Sequence, residues 1–306
     1  MRIAIIGIGA MGCLFGARLA PLADVVMVGT WPEGLAALRE RGITLADAQG
    51  ERTIPVQVAD AAASPPCDLA LILVKSYQTA RAARQAAEWL APQGLALTLQ
   101  NGLGNDEVLA ASLGAARVAL GVTAQGAMLL GPGRVYHAGV GLTHLGVTPL
   151  TRERLAEVGA LFRQAGLETH LTENIAGLVW GKLVVNSAIN PLTALLRVPN
   201  GALLQNERAR ALMEAVAWET AHVAQAQGIR LPFDDPAERV REVAARTAHN
   251  RSSMLQDVLR GAPTEIEAIN GAVVRAGQRL GVPTPINATL WRLVCALEAT
   301  RPLRQI

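Results

Sequence analysis

Short hydrophobic runs alternate with helical stretches along the first half of the chain. The run RIAIIGI predicts a buried strand, which leads through a glycine turn into a helix that ends near Leu19. Four more strands are predicted by DVVMVG, DLALILVK, GLALTLQNG and ARVALGVT, and helices by EGLAALRERG and QTARAARQAAEWL. Continuous apolar strands separated by helices are typical of a parallel sheet covered on both faces. This half therefore predicts a doubly wound α/β domain of the Rossmann type.

The pattern changes from about Gly126 onward. GRVYHAG and GLTHLG predict a strand pair that extends the sheet in the antiparallel sense. From about Glu173 the sequence predicts only helices, separated by prolines, at 174–189, 200–228, 235–249, 262–280 and 284–298. We expect two domains, an α/β domain over residues 1–170 and an all-α domain over residues 171–306.

Composition narrows the class of protein. Of 306 residues 51% are apolar and 17% charged, and the net charge is +3 with scattered arginines, so no nucleic acid or membrane partner is indicated. Three widely spaced cysteines without CxxC spacing argue against a disulfide framework or a zinc site. We find no signal-peptide pattern and no apolar run of the roughly 20 residues that a membrane-spanning helix needs, and expect a cytoplasmic protein. The Ala/Leu-rich helical half could pair with a second copy, as a homodimer.

The glycine motif GIGAMG carries the first functional prediction. Gly7, Gly9 and Gly12 have the GxGxxG spacing, directly after a strand and at the start of a helix. The glycines permit a tight turn and close approach of the backbone, and the helix N-terminus offers N–H groups to a pyrophosphate. The motif predicts dinucleotide binding by Gly7, Ile8, Gly9, Ala10, Met11 and Gly12.

Residues at the ends of other strands extend this predicted site. The end of the second strand normally carries an acid for NAD or a basic residue for NADP, but this chain has Gly29, Thr30 and Trp31. Thr30 could bond either a ribose or a phosphate, so the cofactor stays open at this point. Lys75 and Asn101 follow two strands and are expected at the ligand-binding edge of the sheet. The alternatives are a solvated lysine and an ordinary turn-forming asparagine.

A polar stripe in WGKLVVNSAIN carries the second prediction. Lys182, Asn186 and Asn190 share one face of an otherwise apolar helix. Burying such groups is costly unless protein, water or a ligand satisfies them. A desolvated lysine can protonate a carbonyl oxygen as a general acid, whereas an internal hydrogen-bond network is the alternative.

A second polar set follows in HNRSSMLQDV and PTEIEAING. Ser252 and Ser253 could cap a helix beginning at Met254, and the same helix N-terminus could bind a substrate carboxylate. Glu265 and Glu267 are interpreted as acids in the first turn of a helix, usually exposed to solvent.

Together these motifs resemble those of one family. GIGAMG, VKSYQT, QNGLGN, WGKLVVNSAINPLTALLRVPNG, SSMLQDV and TEIEAINGAVV stand in the order and approximate spacing of ketopantoate reductases (2-dehydropantoate 2-reductases), nearly end to end. The resemblance implies a Rossmann domain followed by a helical domain, with the active site in the cleft between them. It implies hydride transfer from NADPH, or from NADH, to 2-dehydropantoate, which gives (R)-pantoate for pantothenate and coenzyme A biosynthesis.

The resemblance also assigns roles to residues. Lys182 matches the catalytic lysine, and Glu265 the acid beside substrate and nicotinamide. The implied substrate-binding residues are Asn101, Lys182, Asn186, Asn190, Asn200, Asn250, Ser252 and Ser253. The implied cofactor-binding residues are Gly7 to Gly12, Thr30, Lys75, Asn101, Ala127 and Glu265. Many relatives have an arginine where this chain has Thr30 or Trp31, so we expect only a modest preference for NADPH over NADH.

Two other functions compete with this interpretation. A reductase of another branched 2-oxoacid would use the same scaffold with a different side-chain pocket. A non-catalytic sensor of nicotinamide redox state would bind the cofactor alone, but it would need neither Lys182 nor Glu265.

Overall fold

The structure, a computed structural model, describes residues 1–59 and 66–303. It divides into two units. The first, here the α/β unit, holds the described residues of Met1–Gln100 and Gly104–Ile175, and the second, the helical unit, holds Asn101–Leu103 and the chain from Ala176 onward. A functional division of the chain at residue 170 stays a prediction.

The α/β unit contains an eight-stranded sheet in the order β12-β11-β8-β7-β6-β1-β2-β5. Neighbouring strands are parallel throughout except for β8 and β11, which are antiparallel. The strands are β1 (Arg2–Ile6), β2 (Asp24–Val28), β5 (Gln57–Val58), β6 (Cys67–Ile72), β7 (Leu90–Thr98), β8 (Val118–Thr123), β11 (Thr143–Gly146) and β12 (Thr169–Thr172). The order of β5, β2, β1, β6, β7 and β8 is that of the doubly wound dinucleotide-binding fold, in which the strand order reverses between β1 and β6.

Helices cover both faces of this sheet, as the continuous apolar strands predict. The helices of the unit are α1 (Ala10–Leu19), α2 (Pro32–Arg41), α3 (Thr79–Trp89), α4 (Asn105–Leu113) and α5 (Arg152–Gln164). On β1, Ile3 and Ile5 pack in the same core as Phe15 of α1, while Ala4 and Ile6 pack in the core that contains α3 and α4. The predicted fold class is confirmed.

A second sheet corrects one prediction. It has the order β4-β3-β10-β9, with β3 (Ile43–Asp47), β4 (Gly50–Ile54), β9 (Gly126–Gly131) and β10 (Arg134–Gly139). The expectation that GRVYHAG and GLTHLG pair with each other is wrong, because Pro132 and Gly133 form a two-residue connection that pairs β10 antiparallel with β9 instead. Only GLTHLG, as β11, extends the main sheet antiparallel.

The helical unit is built around one long helix, α6 (Ile175–Leu196). Its other helices are α7 (Ala202–Gln205), α8 (Glu207–Ala226), α9 (Pro236–Arg246), α10 (Ser253–Arg260), α11 (Asn270–Leu280) and α12 (Pro285–Ala299). Val184 and Ile189 of α6 pack in a core with α8, α9 and α12, and Trp180 and Leu183 pack in a second core with α10 and α11.

Three predicted helix boundaries in this unit are wrong. The segment 200–228 is broken at Asn206, whose side chain accepts a hydrogen bond from the Ala209 N–H at 3.0 Å and caps α8. The segment 262–280 becomes helical only at Asn270. The helix predicted to end at residue 189 continues through Pro191 to Leu196.

Helix α6 also corrects the expectation about apolar length. By length and composition alone it could cross a membrane, so an apolar segment of that size does occur. Core helices of soluble proteins meet the same criterion, and 61% of its most apolar 18-residue window is buried in the structure.

Candidate active site

The glycine loop lies where β1 meets β6 in the α/β unit. Gly7 has φ +126° and donates its N–H to the Val28 carbonyl at 2.8 Å. A Cβ on Gly7 would lie 2.7 Å from the carbonyl carbon of Leu73, and one on Gly12 would overlap the Gly7 carbonyl oxygen. These two glycines are therefore required by the close packing of strand, loop and helix.

Gly9 differs from its two neighbours in the motif. A Cβ at Gly9 would meet no atom within 4 Å, and its φ of −79° suits any residue, so the fold itself does not require glycine there. Gly9 precedes α1, whose first turn has neither a side-chain cap nor an acidic residue. Backbone N–H groups at such a terminus bind anions, so the open space at Gly9 fits the pyrophosphate of a dinucleotide.

The side chains within the loop point elsewhere. Ile8 is buried in the core beneath Gly29, and Ala10 and Met11 are partly buried against the same core. Ile8 can therefore contact a cofactor only through its backbone, whereas Ala10 and Met11 keep part of their side chains exposed.

Thr30, two residues beyond β2, has a basic partner that the sequence pattern did not reveal. Arg81 of α3 donates from Nη1 to the Thr30 hydroxyl at 2.9 Å. The Arg81 Nε is buried and has no hydrogen-bond partner within the described chain. A guanidinium therefore stands at the end of β2, although no arginine occupies that strand end in the sequence. Fifty-one residues separate the pair, too far for a local motif to show.

The predicted residues Lys75 and Ala127 occupy different sheets. Lys75 follows β6 and precedes a short 3₁₀ turn at Ser76–Gln78, at the carboxyl end of the main sheet as expected. Ala127 lies on β9 of the four-stranded sheet, opposite His137 on β10, and is partly buried.

A polar network that sequence reasoning missed holds the ends of β6 and β7 together. Gln100 donates from Nε2 to the Val74 carbonyl and to the Thr79 hydroxyl, each at 2.9 Å. Thr79 in turn donates to the Asn105 side-chain oxygen at 2.9 Å, at the start of α4. The network fixes the backbone of the KSYQT and QNGLGN segments. Its only sequence signal was the presence of Gln and Thr inside those two motifs.

The polar stripe on α6 is brought together as predicted. Lys182 and Asn186 are half-buried and Asn190 is buried, at positions i, i+4 and i+8 of one continuous helix. Burial lowers the pKa of Lys182 from 10.5 to about 8, because the ammonium loses hydration, and the nearby Glu265 carboxylate partly opposes this. At neutral pH the amine is protonated, but its proton is held less tightly than that of an ordinary lysine.

Glu265 and Asn101 lie together in the helical unit. The Asn101 side chain donates from Nδ2 to Glu265 Oε2 at 3.3 Å. The segment after Asn101 is fixed to the same turn, since the Leu103 N–H donates to the Ala268 carbonyl at 3.0 Å and Gly102 packs against Ala268. Asn101 is thus brought to Glu265, which is 164 residues away in the sequence.

The expected position of both acids is wrong. Glu265 and Glu267 lie in a turn before α11, which begins at Asn270, and not in the first turn of a helix. Glu265 is buried at 5% exposure, and Glu267 is an exposed acid that pairs with Arg275 at 3.0 Å. Only Glu265 is placed to act on Lys182.

The two serines separate into different roles. Ser252 is buried and caps α10 by accepting from the Leu255 N–H at 3.1 Å, and its Oγ lies 2.7 Å from the Thr193 hydroxyl of α6. Ser253, the first residue of α10, is half-buried, and its hydroxyl makes no hydrogen bond with the described residues. The capping interpretation is therefore confirmed for Ser252, while Ser253 can take a ligand at the helix N-terminus.

Asn200 and Asn250 form a further pair, joined through the backbone. The Asn200 N–H donates to the Asn250 carbonyl at 3.0 Å, and the Asn200 side chain donates from Nδ2 to the Thr247 hydroxyl at 2.9 Å. The Asn200 Oδ1 is buried without a partner in the described part of the chain, and Asn250 is exposed.

The strand order and the open glycine loop define a Rossmann-type α/β protein with a helical unit after it. Two family models match the chain: Ketopantoate reductase PanE/ApbA over residues 3–149 and Ketopantoate reductase PanE/ApbA C terminal over residues 174–298. The chain belongs to the ketopantoate reductase family.

Individual relatives cover nearly the whole chain. A 2-dehydropantoate 2-reductase of Halobacterium salinarum is 39% identical and covers 96% of this chain and 98% of its own length. The crystal structure of a PanE/ApbA family ketopantoate reductase from Ralstonia eutropha JMP134 has a TM-score of 0.91 at 35% identity, over 99% of this chain and 100% of that one. A D-mandelate dehydrogenase, in a ternary structure with NADH and anilino(oxo)acetate, has a TM-score of 0.93 at 26% identity, over 98% and 99% of the two chains.

Proposed function

We propose that this protein is an NADPH-dependent 2-dehydropantoate 2-reductase that converts 2-dehydropantoate to (R)-pantoate. Membership of the ketopantoate reductase family and near full-length similarity to enzymes of that name support the reaction. The observation in the structure that carries the proposal is Lys182, whose pKa is lowered to about 8 beside Glu265.

Proton transfer is the step assigned to this chain's own residues. The glycine loop before α1 would hold a reduced nicotinamide dinucleotide, which would supply the hydride for C2 of the oxoacid. Lys182 Nζ donates a proton to the carbonyl oxygen, so that the alkoxide never accumulates. A general acid is most effective when its pKa lies near the working pH, and about 8 meets that condition better than the 10.5 of an ordinary lysine.

Glu265, held by Asn101, keeps Lys182 in its protonated form. The carboxylate of Glu265 favours the ammonium form and thereby limits the loss of the proton that burial alone would cause. Asn101 donates to the same carboxylate at 3.3 Å and restricts its orientation. We assign Lys182 and Glu265 as the catalytic pair.

Amide and hydroxyl groups of the helical unit would hold the substrate. Asn186 and Asn190 stand on the face of α6 that carries Lys182, and Ser253 offers a hydroxyl at the N-terminus of α10, where a carboxylate is favoured. The partnerless Oδ1 of Asn200 is suited to accept from a substrate hydroxyl. Ser252 acts through the cap of α10 rather than by direct contact, and Asn250, which is exposed, accepts the backbone N–H of Asn200.

The α/β unit would hold the cofactor through backbone and basic side chains. The loop Gly7 to Gly12 fits the pyrophosphate, with Lys75 at the same edge of the sheet. We infer a preference for NADPH over NADH, because Arg81 and Thr30 place a guanidinium and a hydroxyl where this fold reads the 2′ position of the ribose. Thr30 alone predicts only a modest preference, and Arg81 strengthens it.

The remaining assignments complete the proposal. We propose that residues 1–170 serve the cofactor and residues 171–306 serve the substrate, that the enzyme acts in pantothenate and coenzyme A biosynthesis, and that it is a cytoplasmic homodimer. Three free cysteines fit a reducing compartment.

A second candidate is the reduction of a different branched or aryl 2-oxoacid. The TM-score of 0.93 with a D-mandelate dehydrogenase favours it specifically, since the same scaffold there serves another substrate. The proton donor would be unchanged, and only the side-chain pocket would differ.

A steady-state comparison of substrates decides between these candidates. The purified protein is assayed for oxidation of NADPH and of NADH with 2-dehydropantoate, phenylglyoxylate and other branched 2-oxoacids. We expect the highest kcat/KM with 2-dehydropantoate and NADPH. A higher value with phenylglyoxylate would establish the second candidate, and cofactor binding without turnover of any 2-oxoacid would establish a sensor.

A further inference from the structure

Pro191 leaves one carbonyl of α6 without its helical donor. In an α-helix the carbonyl of residue i accepts from the N–H of residue i+4, and proline has no N–H. The carbonyl concerned is that of Ser187, which is 0% exposed and therefore cannot turn to bulk water. An unpaired buried carbonyl is costly, so another group must supply the donor.

Asn270 supplies that donor from a different helix. It is the first residue of α11, is fully buried, and donates from Nδ2 to the Ser187 carbonyl at 3.0 Å. The second hydrogen of the same amide goes to Asn287 Oδ1 at 2.9 Å. Both hydrogens of the amide are thereby used, and the side chain is held in one orientation.

A chain of hydrogen bonds anchors Asn270 in turn. The Asn287 side chain donates to Glu219 Oε2 at 3.0 Å, which leaves its own Oδ1 free to accept from Asn270. The Glu219 carboxylate also accepts from the backbone N–H groups of Ile286 and Asn287, each at 2.9 Å, and so caps the N-terminus of α12. Helices α8, α12 and α11 are thus linked in sequence to a single carbonyl of α6.

The position of this carbonyl matters for the candidate site. Ser187 and Pro191 bound the turn of α6 that contains Asn190, and Lys182 and Asn186 lie before this turn. A helix changes course at an interior proline, since the ring and the carbonyl one turn earlier cannot both keep ideal positions. The geometry of this stretch therefore sets where Asn190 stands relative to Lys182.

We propose that Asn270 is a positioning residue for the reaction, which fixes the course of α6 across Pro191 by binding the Ser187 carbonyl and so holds Asn190 in register with Lys182. The proposal rests on the proposed function, in which Lys182 and Asn190 meet the same oxoacid. Asn270 itself touches neither substrate nor cofactor.

The test uses Asn270→Leu, Pro191→Ala and the double variant in the full-length protein. Leucine matches asparagine in size but donates nothing, so N270L should lower Tm and raise the KM for 2-dehydropantoate by about tenfold or more, since small displacements of a site can cost up to about 100-fold. The Kd for NADPH should not change. In N270L/P191A the alanine that replaces Pro191 has an N–H that can bond the Ser187 carbonyl, so Tm should recover while KM stays high, because Asn270 no longer sets the course of α6.

Gln278→Leu is the matched control, an exposed amide on α11 that is also replaced by leucine, and its KM should equal that of the unmodified protein. Should N270L fail to fold, the double variant is compared with P191A, which keeps the Asn270 contact with the Ser187 carbonyl and should keep a normal KM. A merely structural role predicts that KM and Tm recover together in the double variant, and that result, or an unchanged KM in N270L, would overturn the proposal. If the unmodified protein reduces no 2-oxoacid, the proposed function fails and this proposal with it.

Discussion

The two units present their polar groups in opposite ways. In the α/β unit the candidate site is mostly backbone: Gly7 and Gly12 allow close packing, and the open space at Gly9 exposes the N-terminus of α1. In the helical unit the site is made of side chains, Lys182 and Glu265 above all, held by contacts between distant segments. A backbone site requires that glycines carry no Cβ, so that a ligand can approach the N–H groups. A side-chain site requires functional groups that are present and correctly charged.

This difference implies opposite ways to damage each site. Adding a single methyl group should disable the first, while removing a functional group should disable the second. The first should lose affinity for the cofactor, and the second should lose rate with the cofactor still bound.

The largest effect is expected at Lys182. Lys182→Ala removes the proton donor, so kcat should fall by about 10²- to 10⁴-fold, the usual contribution of a general acid, with the Kd for NADPH nearly unchanged. Small primary amines added to the variant should restore part of the rate. Lys75, the other of the chain's two lysines, provides the contrast: Lys75→Ala should act mainly on the KM for the cofactor. An unaffected kcat in Lys182→Ala would remove this residue from catalysis.

Arg81 should show the next largest effect. Arg81→Gln keeps a donor near Thr30 but removes the charge, so the ratio of kcat/KM for NADPH over NADH should fall by about 10- to 100-fold, the range for a lost charge-assisted hydrogen bond. Titration with 2′,5′-ADP should show the same loss, whereas binding of 5′-AMP should be unchanged. Arg84→Gln, an exposed arginine on the same helix, serves as the control. An unchanged ratio in Arg81→Gln would mean that Lys75 or the loop reads the phosphate.

The substitution Gly9→Ala should have a smaller effect, on cofactor affinity and not on stability. Because a Cβ at Gly9 meets nothing within 4 Å, Gly9→Ala should leave Tm unchanged and weaken NADPH binding by about tenfold, as the methyl group enters the space assigned to the pyrophosphate. Gly131→Ala, which is equally open but lies on β9, should change neither quantity. Equal affinities for Gly9→Ala and the unmodified protein would place the pyrophosphate elsewhere.

Local sequence patterns predicted the central strands of the α/β unit better than the strands at its edges. Strands β1, β2, β6, β7 and β8 are continuous apolar runs, and each was identifiable from its own residues. The strands β3, β4, β5 and β9 were not predicted. The sequences of β4 and β5, GERTI and QV, lack an apolar run, and these strands are held by their neighbours in the sheets. Pro191 was taken as a helix end because its local preference is clear, but tertiary contacts at Ser187 carry α6 through it.

The candidate site divides in the same manner. The stripe of Lys182, Asn186 and Asn190 follows from helix periodicity alone, and so does the glycine loop from its spacing. The pairs Arg81 with Thr30, Asn101 with Glu265, and Asn270 with Ser187 join residues 51, 164 and 83 positions apart. No local rule brings such residues together, so their roles required the folded structure.

The pH dependence of kcat in both directions tests the central claim most directly. With a pKa of about 8, Lys182 is a proton donor below that pH and a proton acceptor above it. Reduction of 2-dehydropantoate should therefore be constant below pH 8 and fall about tenfold per unit above it, while oxidation of pantoate should rise toward pH 8 and then level off. The folded pKa lies below the unfolded value of 10.5, so the contribution of Lys182 to stability increases over this pH range and unfolding of this origin cannot explain the lost rate. Two results would contradict the assignment of Lys182 as the general acid. One is a kcat that does not change between pH 7 and 9 in either direction, and the other is a Lys182→Ala variant whose kcat still changes near pH 8.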